Sequence, residues 1–266
     1  MWEIFYLKEI TIQLLNVNMM NSTYQDLKGK HVLVTGGTSG IGKEITNGLN
    51  YQQVDITLLG RDEHKLKDSM NEFLQIKDLC ICDQNQIAQI EKSLEKLHRP
   101  FDGIVFSAGI ANFLPIKFLK QEKSQEIFNV NFFSNVIILQ YLIRKKLLNK
   151  NASIVFVSSI SQHVAEIGTS IYSSSKAALS AFARNAALEL ASSQIRVNSI
   201  SPGLVKTNLL NDEKGVLSTN IIDKNAAQYP LGLGRANDVA ALCLFLLSKE
   251  SSWMTGADIR DRKSVV

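Results

Sequence analysis

Thr35-Gly36-Gly37-Thr38-Ser39-Gly40-Ile41-Gly42, in one-letter code TGGTSGIG, stands between an unbroken apolar run and a segment of helical period. The run before it, His31–Thr35 (HVLVT), reads as a strand buried on both faces. The segment after it, Gly42–Tyr51, reads as a helix. A phosphate-binding turn needs glycine where the chain turns tightly, where backbone approaches a pyrophosphate and where helix packs on strand. Gly36, Gly40 and Gly42 occupy those places. Thr38, Ser39 and Ile41 complete the turn, and the helix N-terminus points at the anion. The spacing is G-x-x-x-G-x-G rather than the usual dinucleotide G-x-G-x-x-G, and glycine also ends strands for geometric reasons alone. Its place between a buried strand and a helix favours the nucleotide.

Outward from this turn, apolar runs alternate with helical patterns. Expected strands are 31–35, 55–59, 79–82, 103–107, 153–158 and 196–201; expected helices are 42–51, 64–73, 84–96, 124–148, 172–192 and 237–248. Six strand–helix alternations without a Pro/Gly-rich linker predict one α/β domain, a doubly wound parallel sheet of Rossmann type with helices on both faces. The domain is placed at 27–259. Residues 1–26 form an N-terminal extension of uncertain status, either an amphipathic helix packed on the domain or a start upstream of Met20. The tail RDRKSVV, 260–266, reads as non-native, and the last strand is expected to be truncated there.

The composition fits a globular enzyme: 266 residues, 45% hydrophobic and 20% charged. A net charge of +4 is too small to imply nucleic acid. The cluster Arg144-Lys145-Lys146 with Lys150 reads as a solvated helix end. No apolar run of about 18 residues lacks a charge, so no membrane span is expected. Three cysteines, Cys80, Cys82 and Cys243, fit neither a disulfide framework nor a metal site. Cytoplasmic residence and no metal are the expectations.

The second strand ends Leu59-Gly60-Arg61 without a carboxylate at its tip. An acidic residue there would hold a ribose 2′-hydroxyl, whereas the Arg61 fork pairs with a 2′-phosphate. NADP(H) is therefore favoured over NAD(H). Asp62 could still turn in, and Lys43 and His64 are weaker candidates for the phosphate.

Tyr172 and Lys176, in YSSSKAALSAF, lie four apart and share a helix face. A phenol titrates near pH 10, too high for proton exchange near neutrality, and a neighbouring ammonium favours its phenolate. The pair makes sense as a tuned general acid/base. Such a pair is usually inert in isolation, and its context decides. Ser159 ends a buried strand thirteen residues earlier, where its hydroxyl could bond a substrate carbonyl; Ser158 or Ser161 could take its place.

With SAG at Ser107–Gly109, NVN at Asn129–Asn131, SSI at Ser158–Ile160 and NSISPGLVKT at Asn198–Thr207, these motifs resemble the single-domain branch of the short-chain dehydrogenase/reductase family across Leu27–Gly256. The chain is most similar to its bacterial 3-oxoacyl-carrier-protein reductases. The resemblance implies a carbonyl or alcohol substrate, with Tyr172 as acid/base and Lys176 lowering its pKa while bonding the nicotinamide ribose. Ser159 would orient the substrate carbonyl, and Asn131 would hold a water in a proton relay. The cofactor would lie along Thr35–Gly42 and Ser107, Ala108 and Gly109. Pro202, Gly203, Val205 and Thr207 would grip the carboxamide, and Asp83 (or Cys80) would contact adenine. A homo-oligomer, tetramer or dimer, is implied through the helices carrying Asn131 and Tyr172. The stretch Leu204–Tyr229, with Leu204, Leu209, Leu210 and Val216, would form a substrate lid. Ser107 departs from the family's usual Asn, and the closing DGG is missing. Rival readings are an NAD-dependent sugar or hydroxysteroid dehydrogenase and a non-catalytic dinucleotide-binding sensor or scaffold.

Overall fold

Val32 and Val34 point to one side of the first strand and Leu33 to the other, and all three are buried. An apolar residue at every position can be satisfied only by a layer on each side. The computed structural model describes residues 24–207 and 229–260 and places that strand, β1 (His31–Thr35), at the centre of a seven-stranded sheet. The other members are β2 (Asp55–Gly60), β3 (Ile76–Ile81), β4 (Phe101–Phe106), β5 (Leu148–Val157), β6 (Arg196–Ser201) and β9 (Asp258–Arg260). Their order is β3-β2-β1-β4-β5-β6-β9, all pairs parallel. A two-stranded pair, β7 (Val205–Lys206) and β8 (Gly234–Arg235), lies outside it.

One layer holds α1 (Gly40–Tyr51) and α7 (Ala236–Leu247), whose Ile45, Leu49, Val239 and Leu244 share a core with Val32, Val34, Val105 and Val155. The opposite layer holds α3 (Ile90–Leu94), α5 (Ser134–Arg144) and α6 (Ser170–Leu190), which pack Ile138, Leu142 and Leu179 on Leu33, Phe106 and Phe156. Phe106 and Phe156 stack at 4.7 Å between centroids. Burying each Leu or Ile contributes roughly 1.5–3 kcal/mol. The fold is the doubly wound α/β sheet that the alternation predicts.

Three expectations need correction. The helix expected over 84–96 is a 3-10 turn, Ile87–Gln89, followed by the short α3. Asp83 Oδ1 accepts from Asn85 N, and Gln84 Nε2 donates to Ser134 Oγ, so side chains hold the start of this stretch in a turn. β3 begins at Ile76 rather than Leu79 because it is an edge strand, with Lys77 and Asp78 in solvent. The long helix expected over 124–148 runs as α4 (Gln121–Phe128), a π turn (Asn129–Phe133) and α5. The last strand, Asp258–Arg260, pairs with β6 over three residues, with Arg260 opposite Ser201. Of the tail, residues 261–266 lie outside the described residues, as do residues 1–23 of the N-terminal extension and the lid positions Leu209, Leu210 and Val216. By length and composition the segment Gln121–Arg144 could cross a membrane, but half of its apolar window is buried inside the fold.

Candidate functional site

The glycine turn joins β1 to α1 at the carboxyl edge of the sheet, where its geometry is fixed by close approaches. Gly36 has φ +68°, and a β-carbon there would stand 2.8 Å from the Ala108 α-carbon. A β-carbon on Gly42 would overlap the Gly36 carbonyl and come within 2.7 Å of Ser107 Oγ. Thr46, one turn into α1, donates to both the Gly37 and Gly42 carbonyls at 3.1 and 3.0 Å. Thr35 binds the neighbouring loop: its carbonyl accepts from Ser107 Oγ and its hydroxyl accepts from Ala108 N. Ser107 thus has a structural partner despite standing in place of asparagine.

A cleft of about 360 Å³ opens along this turn. Of the predicted cofactor residues it is lined by Gly36, Thr38, Ser39, Gly40, Ile41, Gly42, Arg61, Asp83, Ser107, Ala108, Gly109 and Thr207. Asp83 lines it and Cys80 does not. Pro202, Gly203 and Val205 do not line it either. The Pro202 carbonyl accepts from Ile160 N, and buried Val205 pairs with Gly234 in the small sheet. Of that segment only Thr207 reaches the cleft. Gly60, Lys65 and Gln84 line it as well and were missed, although Lys65 lies one helical turn beyond Arg61.

The cleft has the donors a dinucleotide needs. Ser39 caps α1 without a side-chain hydrogen bond, so the first-turn amides keep their donor capacity for an anion. Arg61 and Lys65 put two cations at the far end. Asp62 also lines the cleft; its Oδ1 accepts from Lys65 N at 3.1 Å, capping α2 (Glu63–Glu72), and its Oδ2 lies 3.8 Å from Lys65 Nζ. The weaker phosphate candidate Lys43 pairs with Glu72 at 2.8 Å.

Beyond Gly109 the cleft meets the second set of predicted residues. A methyl group added to Gly109 would lie 3.3 Å from Lys176 Nζ and 3.4 Å from Asn131 Oδ1. Lys176 is buried on α6 and donates to the Val157 carbonyl at 2.8 Å. Burial lowers its pKa to about 8. Its Nζ lies 6.0 Å from the Tyr172 ring centroid. Burial pushes the Tyr172 phenol above its ordinary value, opposed only by a hydrogen bond from Ser159. In the protein without a cofactor, burial thus works against the phenolate.

Ser159 lies two residues beyond the end of β5 rather than at its end, as the cap of a 3-10 turn, Ile160–Gln162. Its oxygen accepts from Ser161 N and Ser161 Oγ at 3.2 and 3.0 Å. Ser158 instead points inward and donates to the Lys176 carbonyl. Asn131 falls within the π turn and is fully buried. Its side chain accepts from Ile110 N and donates to the Ile110 carbonyl and Ser175 Oγ, all within 3.0 Å. Phe113 packs edge-on against Tyr172 with centroids 5.7 Å apart.

Ser159, Tyr172, Lys176 and Asn131, far apart in sequence, thus converge beside the cleft of the glycine turn. The family model described as Enoyl-(Acyl carrier protein) reductase matches residues 36–260. The chain belongs to the short-chain dehydrogenase/reductase family. It is an oxidoreductase of carbonyl or alcohol groups. It is 30% identical over 241 residues to a 3-oxoacyl-acyl-carrier-protein reductase of Rickettsia bellii, covering 87% of this chain and 94% of the relative. It is 33% identical to a tropinone reductase homolog of Arabidopsis thaliana, covering 86% of this chain and 90% of the relative. A short-chain type dehydrogenase/reductase from Mycobacterium ulcerans superimposes with TM-score 0.81 at 28% identity, covering 89% of each chain.

Proposed function

We propose that this short-chain dehydrogenase/reductase uses NADP(H) to interconvert a ketone and a secondary alcohol, and that its substrate is a 3-oxoacyl thioester. The observation that carries the chemistry is the convergence of Tyr172, Lys176 and Ser159 beside the cleft: buried Lys176 lies one turn on from Tyr172 with its Nζ 6.0 Å from the ring centroid, and Ser159 neighbours the phenol. In that arrangement Ser159 and Tyr172 both bond the substrate carbonyl oxygen and orient it. Tyr172 gives the oxygen its proton during reduction and takes it back during oxidation. A bound nicotinamide supplies or accepts the hydride, and in its oxidised form adds positive charge that favours the phenolate. Lys176 restores the Tyr172 proton. Both Asn131 Nδ2 protons are engaged, so a relay water would be held through the remaining lone pair of Oδ1, which accepts from Ile110 N, or through the main-chain carbonyl.

NADP(H) is supported by Arg61 and Lys65 lining the cleft and by the strand β2 ending in Gly60 without a carboxylate at its tip. The thioester is supported by the names of relatives about 30% identical along nearly their full length. The activity is placed in the cytoplasm, in keeping with three free, buried cysteines. A homo-oligomer is supported by apolar side chains exposed on two helices, Phe133 and Ile143 on one and Leu188 on α6.

The test is oxidation of NADPH, with NADH in parallel, against acyl thioesters, sugars, steroids and small ketones. Acetoacetyl thioester reduction with NADPH is the expected result. Tyr172→Phe should abolish it and leave NADPH affinity nearly unchanged. Turnover retained by that variant removes Tyr172 from the chemistry.

A further inference from the structure

Ser159 carries one proton and two lone pairs, and a productive contact with a carbonyl needs the proton directed at the substrate. The turn that follows biases which way it points. Ser161 N donates to Ser159 Oγ at 3.2 Å and Ser161 Oγ lies 3.0 Å from the same atom. With Ser161 N donating to it and the Ser161 hydroxyl able to turn its proton onto the same oxygen, the Ser159 proton is left to point at the substrate side.

The turn is held by contacts far from the cleft. Ile160 N donates to the Pro202 carbonyl at 2.9 Å. The Gln162 amide nitrogen lies 2.7 Å from both Ser180 Oγ and Ser201 Oγ, which fastens the turn to α6 and β6. His163 Nε2 meets the Asp258 carboxylate at 2.8 Å, tying it to β9. Asp258 is itself nearly buried and accepts from Ser199 and Ser201. Ser161 is therefore placed by three elements against one atom.

We propose that Ser161 is a positioning residue that polarises Ser159 and turns its proton toward the substrate carbonyl. The inference rests on the reductase reading above. As the Ser159 hydroxyl gives up proton density to the developing oxyanion, the two bonds it accepts from Ser161 shorten with it. They thereby act more strongly in the transition state than in the ground state.

The experiment is a double-mutant cycle on the carbonyl compound that the native enzyme reduces with NADPH. Ser161→Ala keeps the backbone bond and removes the hydroxyl. It should lower kcat roughly fivefold to tenfold with the KM for NADPH unchanged. Ser161→Thr, which keeps a hydroxyl, should recover most of that loss. In a Ser159→Ala background Ser161→Ala should have no further effect. An equal loss in both backgrounds would mean a structural role and overturn the proposal, as would full activity of Ser161→Ala. Undiminished turnover by Ser159→Ala or Tyr172→Phe would instead strike the reductase reading itself.

Discussion

At the residue scale, Lys176 is the side chain whose environment has the sharpest consequence. Its pKa falls to about 8 because burial disfavours the ammonium. Above that value the free enzyme holds a neutral amine, which neither favours the Tyr172 phenolate nor returns a proton to it. Reductive kcat/KM should therefore be level below pH 8 and decline as pH rises through it; a profile level to pH 10 would contradict the assignment. The stability effect runs the other way. Between pH 8 and the ordinary lysine value the unfolded chain binds the extra proton, so this group's cost to folding shrinks as pH rises. Arg61 carries the cofactor preference. Arg61→Ala should raise the KM for NADPH at least tenfold and leave that for NADH within about twofold, a phosphate–guanidinium contact being worth about 1.5–3 kcal/mol. Equal effects on both cofactors would assign the selectivity to Lys65 or elsewhere. Tyr172, Lys176 and Arg61 were all legible as residues, from a four-residue spacing and a strand tip. The raised phenol pKa was not, because desolvation depends on what packs around the ring.

At the scale of elements, the glycine turn and the π turn determine the shape of the site. In the turn, Gly42→Ala would drive a methyl group into the Gly36 carbonyl. It should abolish NADPH binding measured by fluorescence titration and lower Tm by several degrees. Near-native binding would mean that the turn can shift without loss. Strands β1 and β6 were readable to the residue because both are interior strands stopped sharply at their ends, β1 by the glycine turn and β6 by Pro202-Gly203. β3 was misread at its start because an edge strand is apolar on part of one face only. The stretch before α3 was misread because Asn129 and Ser134, from another element, bond Asn85 and Gln84 and override local helical pattern. The π turn leaves no periodic trace in the sequence, since one extra residue in a helix shifts the register without changing composition.

At the scale of the whole molecule, exposed apolar side chains remain to be accounted for. Leu188 on α6 is 80% exposed, with Phe133 and Ile143 about two-fifths exposed. Leu188→Glu should convert a homo-oligomer to smaller species in light scattering, while Leu74→Glu, altering an exposed leucine in another region, should not. Identical masses for native chain and Leu188→Glu would place the contact on another face. What the sequence by itself determined was the doubly wound sheet, the nucleotide turn and the identity of the catalytic candidates. These depend on periodicity, glycine placement and short spacings, all local properties of the chain. Only the tertiary structure decided that Asp62 caps α2, that Lys65 joins Arg61 at the cleft and that Ser161 backs Ser159. Those facts depend on which atoms from distant segments fall within three ångströms of one another, and no local spacing encodes that.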